Sequence, residues 1–80
     1  MTSFDARLRM LGQSGFPLGV ELDLTNERMT VMSGDAEVAD WALKEIQISS
    51  LPDGFHILAE GEEIILNVID GEGFAALIGL

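Results

Sequence analysis

Leu18-Gly-Val-Glu-Leu-Asp-Leu-Thr25 places Leu18, Val20, Leu22 and Leu24 on one side of an extended chain and Glu21, Asp23 and Thr25 on the other. Side chains alternate across a strand with a period of two, so this stretch reads as a strand with one face on a core and one in water. A one-residue slip would turn all four aliphatic side chains outward, which sets the register firmly. Asn26-Glu27 then makes a tight turn into Met29-Thr-Val-Met32, closing a hairpin, and Ser33-Gly-Asp35 ends its second strand.

The same pattern continues toward the C-terminus. A third strand is expected over Glu37 to Leu43, where Val38, Asp40 and Ala42 oppose Ala39, Trp41 and Leu43, and a fourth over Ile46-Gln-Ile-Ser49. Pro52-Asp-Gly54 is the clearest turn, because proline presets one turn dihedral and glycine accepts the positive one that follows. A fifth strand, Phe55 to Ala59, follows it. Glu60-Gly-Glu62 turns into Glu63-Ile-Ile-Leu-Asn-Val-Ile69, whose dense apolar content implies cover on both faces. Asp70-Gly-Glu-Gly73 ends the sheet and can cap a helix, since a carboxylate in the first turn meets free amides. Phe74, Leu77 and Ile78 then share a helical face, with Phe74 as the main insertion into the sheet.

Residues 4–12 stay open between two readings. Phe4, Ala6, Leu8 and Met10 alternate as in a strand, while Phe4, Leu8 and Leu11 have helical spacing. Gln13 to Pro17 reads as a loop. The division is therefore an N-terminal segment, residues 1–17, and a β-domain with a C-terminal helix, residues 18–80. The fold expected is mainly β: a bent antiparallel sheet of about six to seven strands, capped by one helix.

Eighty residues with no cysteine must fold on a dense core without disulfides, and 48% apolar residues can supply it. No secretory signal is visible in Met1-Thr-Ser-Phe-Asp-Ala-Arg7, so a cytoplasmic location is the default expectation. Phe74 to Leu80 stops within an apolar pattern, as in a domain excised from a longer chain. The formal net charge is −10, and from residue 11 onward Arg28 and Lys44 are the only cations. Nucleic-acid binding and attachment to anionic lipid both draw on Lys/Arg clusters, which this pattern withholds. The acidity either keeps a hydrophobic domain soluble or steers a basic partner.

Little in the chain points to chemistry. His56, the only histidine, faces opposite Phe55 and Ile57 and is expected at the solvent or at an edge, without the positioned partner that a general base needs. Glu21/Asp23 and Glu62-Glu63 are paired carboxylates of the kind an acidic chain produces by chance. One histidine cannot build a transition-metal site. Asp70-Gly-Glu-Gly73 and Ser33-Gly-Asp35 lack the alternating oxygen ligands of a calcium loop. Gly71 and Gly73 match no phosphate cradle. Trp41 is either a core residue or an interface anchor, and Met29 and Met32 point to opposite faces.

The run Gly19-Val-Glu-Leu-Asp-Leu24, the hairpin to Met29-Thr-Val31, Trp41-Ala-Leu43 before Ile46-Gln-Ile48, the Asp53-Gly-Phe55 turn and the closing Asp70 with Phe74-Ala-Ala-Leu77 together resemble a pleckstrin-homology-like domain in a compact bacterial version. The resemblance covers residues 18–80. It implies a partly open, strongly bent barrel of seven strands with a C-terminal helix plugging one end, and binding of phosphoinositides, peptides or proteins. Lipid-binding members cluster Lys and Arg on the first hairpin. Here Thr25-Asn-Glu-Arg28 offers one cation beside a carboxylate.

The expected function is a non-catalytic protein-interaction module acting through an acidic face or an exposed sheet edge, with Glu21, Asp23, Glu27, Arg28 and Trp41 as the partner-facing candidates. The alternative is a structural or oligomerising domain of a larger protein. No catalytic, cofactor or metal residues are expected, and monomer or homodimer is left open.

Overall fold

The computed structural model describes residues 2–10 and 17–80. Within them lie seven strands, β1 (Thr2–Met10), β2 (Leu18–Thr25), β3 (Arg28–Ser33), β4 (Ala36–Ala42), β5 (Gln47–Leu51), β6 (Gly54–Ala59) and β7 (Glu62–Val68), followed by helix α1 (Gly71–Ile78). The strands form one antiparallel sheet in the order β4-β3-β2-β1-β7-β6-β5, curled into a half-barrel whose free edges are β4 and β5. The mainly β architecture with one C-terminal helix is as expected from the alternation.

β1 resolves the open reading of residues 4–12 as far as Met10. Its neighbours on both sides decide it: Ala6 pairs with Val20 of β2 and with Val68 of β7, so this segment forms the centre of the sheet to which residues 18–80 also belong. Phe4, Ala6, Leu8 and Met10 face inward and Asp5, Arg7 and Arg9 outward. Leu11, Gly12 and the expected loop up to Phe16 lie outside the described residues.

The hairpins fall where turn chemistry places them. Asn26 and Glu27 both take positive φ, 54° and 60°, as a two-residue connection matched to strand twist requires. A bulge between Val31 and Met32 interrupts the β3/β4 pairing, and the chain leaves β4 early: Leu43 enters a single 3₁₀ turn, Leu43–Glu45, and donates its backbone N–H to the Glu27 carbonyl at 2.9 Å.

Leu22, Met29, Val31, Ile57, Leu66 and Phe74 are the largest side chains sealed from water. Phe74 is sealed in the core and meets Phe55 and Phe4 edge to face, with ring centroids 4.9 and 5.6 Å away. Asp70 caps the helix by accepting the Gly73 N–H at 3.1 Å. At the other end Gly79 sits at φ 85° while Leu80 N–H reaches the Ala75 carbonyl at 2.8 Å, a left-handed cap that stops the helix. The inner helical stripe is Phe74, Ala75 and Ile78; Leu77, expected to share it, is 52% exposed. Phe74 fixes the helix rotation, and at 100° per residue position 77 falls 60° to one side of Phe74, away from Ala75 and Ile78.

Candidate functional site

The outer face of the half-barrel is divided into two unlike parts. Over β1 to β4, cross-strand register brings carboxylates together: Asp5 lies directly opposite Glu21, and Asp23 lies between Ser3 and Thr30. Like charges directly opposite in a sheet repel. Among the described residues neither Asp5 nor Glu21 has a cation within ion-pair distance, and the buried Asp23 Oδ1 has no donor. Gly19 presents no side chain here, which leaves a shallow cleft of about 500 Å³ bordered by Asp5, Arg7, Glu21, Met32 and Ile69. Ile69, just after β7, is 76% exposed, the most exposed large apolar side chain among the described residues.

The sequence-derived candidates do not form one site. Glu21 and Asp23 share this outer face, and Arg28 joins it through an exposed ion pair to Asp40 at 3.1 Å. Glu27 stands apart at the hairpin tip. Trp41 is turned the other way: it pairs with the sealed Met29 and packs against the core, half-buried. Of the two readings open for Trp41, the core one agrees with this placement.

Over β5, β6 and β7 the polar groups satisfy one another. The Pro52-Asp53 turn folds back over β7, and side chains from three strands hold Asp53: Arg9 Nη2 and Asn67 Nδ2 donate to its backbone carbonyl at 3.1 and 2.8 Å, and His56 Nε2 meets its carboxylate Oδ1 at 2.7 Å. The other ring nitrogen, Nδ1, lies 2.7 Å from Glu63 Oε2. Beneath this knot is Ile65, paired with Arg9 on one side and His56 on the other and only 4% exposed although it faces outward. The apolar run Glu63–Ile69 is thus covered on both faces at Ile64, Ile65 and Leu66, whereas Ile69, which closes it, is exposed.

His56 is neither at an edge nor in open solvent. Its strand lies between β5 and β7 and its side chain is 12% exposed, because the Pro52-Asp53 turn, three residues before it, bends over the sheet. The bond to Glu63 and then the bond to Asp53 hold the imidazole pKa above its ordinary 6.5. The bond to His56 holds the Asp53 carboxyl below its ordinary 3.8. Pro52-Asp-Gly54 is the clearest turn signal in the chain, yet two of the side chains that hold it are distant in sequence, Arg9 by 44 positions and Asn67 by 14.

The two free edges differ as sharply. β4, Ala-Glu-Val-Ala-Asp-Trp-Ala, carries Glu37, Asp40 and the bulge, the devices by which natural sheets block edge pairing. β5, Gln-Ile-Ser-Ser-Leu, carries no charge, no proline and no bulge. Beside it Gln47, Ser49, Leu51, His56, Leu58 and Glu63 border an outward hollow of about 270 Å³.

No group of three metal-ligating side chains and no helix long and apolar enough to cross a membrane occurs among the described residues. Comparisons of the chain with protein-family models, with characterised proteins and with solved structures return no significant match.

Proposed function

We propose that this chain is a non-catalytic interaction module of pleckstrin-homology-like architecture that accepts an extended segment of a partner protein on the free edge of β5. The order of seven antiparallel strands and a C-terminal helix supports the architecture. The observation that carries the function is the contrast between the edges: β4 is defended by charge and a bulge, and β5 is not. An undefended edge offers backbone donors and acceptors to an added strand, and alternate side chains of that strand supply specificity. The net charge of −10 favours a basic segment.

Phosphoinositide recognition is the weaker family role. With β1 included, the first hairpin is β1–β2, and its connection, Leu11-Gly-Gln-Ser-Gly-Phe-Pro17, contains no Lys or Arg. Arg28 on the following hairpin is engaged by Asp40.

A second reading rests on the facing pair Asp5 and Glu21, which lack a cation among the described residues and border the Gly19 cleft. A basic side chain of a partner would relieve their repulsion. The two readings separate in one experiment. Peptides selected from a random display library on the immobilised domain are expected to perturb amide resonances of residues 47–51 and to lose binding to Ser49→Lys, which places a charge on that edge. Peptides that perturb Glu21 and Asp23 and bind Ser49→Lys unchanged would overturn the edge reading in favour of the acidic face.

A further inference from the structure

The contact pattern of His56 sets a chemical condition on its protonation. Nε2 lies 2.7 Å from Asp53 Oδ1 and Nδ1 lies 2.7 Å from Glu63 Oε2, so each ring nitrogen faces a carboxylate. A neutral imidazole has one N–H and one lone pair. It can donate to one of the two ionised carboxylates and must turn its lone pair toward the other. Only the imidazolium, a donor at both nitrogens, satisfies both.

The two carboxylates belong to different elements. Glu63 is on β7, within the sheet, while Asp53 is in the turn that joins β5 to β6. His56 therefore bridges the sheet to the turn. The charged groups facing this cluster are Asp53 from the turn, Glu63 from β7 and Arg9 from β1; from β5 only the uncharged Gln47, Ser49 and Leu51 face it. Arg9 and Asn67 hold the backbone carbonyl of Asp53, not its carboxylate, so the carboxylate itself depends on His56.

We infer that His56 is a proton-operated clasp: protonated, it ties the Asp53 side chain to Glu63 of β7, beside the Asn67 and Arg9 bonds to the Asp53 carbonyl, and on losing its proton it releases the Asp53 side chain and loosens the end of β5. Leu51, the last residue of the free edge, pairs with Gly54 across that turn, so the clasp sets how firmly the edge strand is anchored. The inference does not depend on what binds β5, since it concerns the free domain.

The raised pKa of the imidazole places the release above its ordinary 6.5. Below that value the clasp is closed. This direction is opposite to that of a histidine buried without partners, which sheds its proton early.

Because His56 is the only histidine, its ring resonance needs no further assignment. An NMR titration from about pH 5 to about pH 9 of the ring Cε1–H and of the Leu51, Asp53 and Gly54 amides tests the clasp on the intact domain. The ring is expected to titrate with a midpoint above 6.5, and the three amides to shift with that same midpoint. Asp53→Asn and Glu63→Gln should each lower the ring midpoint, and His56→Gln should abolish the amide titration. If His56→Gln does not fold, the two carboxylate variants carry the test. A wild-type midpoint at or below 6.5, or turn amides that do not follow the ring, would overturn the proposal.

Discussion

Over β5 to β7 the outer face binds its own polar groups to one another around a buried isoleucine, whereas over β1 to β4 it sets carboxylates against each other and leaves an apolar side chain in water. On the first half Arg9, Asn67 and His56 converge on Asp53 above Ile65. On the second, Asp5 faces Glu21 beside the Gly19 cleft, and Ile69 is 76% exposed. The same sheet thus carries a face that contributes to folding and a face whose arrangement costs stability. A basic partner on the acidic face, the second reading above, would relieve that cost.

The sharpest way to break this comparison is to remove the apolar residue from each half. Ile65→Ala is expected to cost about 2–4 kcal/mol in urea unfolding, as for a core position, although the residue faces outward. Ile69→Ala, on the other half, should stay below about 1 kcal/mol. Equal effects would mean that the halves are not different in kind.

Glycine substitutions make the next largest difference. Gly54 has φ 133°, and a Cβ there would lie 2.8 Å from Asn67 Nδ2 and 2.9 Å from the Leu66 carbonyl oxygen, so Gly54→Ala should cost about 1–3 kcal/mol. At Gly19 a Cβ meets nothing within 4 Å, and Gly19→Ala should stabilise by about 0.5 kcal/mol through the unfolded chain. Both are read from the midpoint of chemical denaturation.

The pH dependence belongs to the β5–β7 half, where two bonded groups act with opposite sign. His56 is more basic folded than unfolded, so its contribution is complete below 6.5 and is lost as pH rises through the raised folded value. Asp53 is more acidic folded than unfolded, so its contribution is present above 3.8 and is lost as pH falls through the lowered folded value. Thermal unfolding across pH should show a plateau between these limits, and His56→Gln should flatten its alkaline side. The smallest expected effect is on the acidic half: Glu21→Lys, which replaces repulsion of Asp5 by attraction, should gain about 0.2–1 kcal/mol at low salt.

How far residues alone lead can be judged from particular elements. β2 is legible end to end, because its alternation is strict and one face is polar. The N-cap at Asp70 and the turn at Pro52-Asp53 are legible for the same local reason. β1 is not: Phe4, Leu8 and Leu11 have helical spacing as well, and only pairing with β2 and β7 selects the strand. Leu77 misleads because a short apolar helix has several faces that qualify. The acidic pair Glu21 and Asp23 is visible as a wet face, but Asp5, which gives Glu21 its repulsion, arrives from another strand.

The sequence by itself determined the alternation, the turns, the helix N-cap and the excess of carboxylates, all of which follow from backbone sterics, side-chain period and ionisation of neighbouring residues. The tertiary structure decided that β1 is central, that β4 and β5 are the free edges, that Ile65 is covered and Leu77 is not, and that one histidine stands between two carboxylates. Those outcomes depend on register between strands far apart in the chain, and periodicity says which face a residue takes but not what it will meet there.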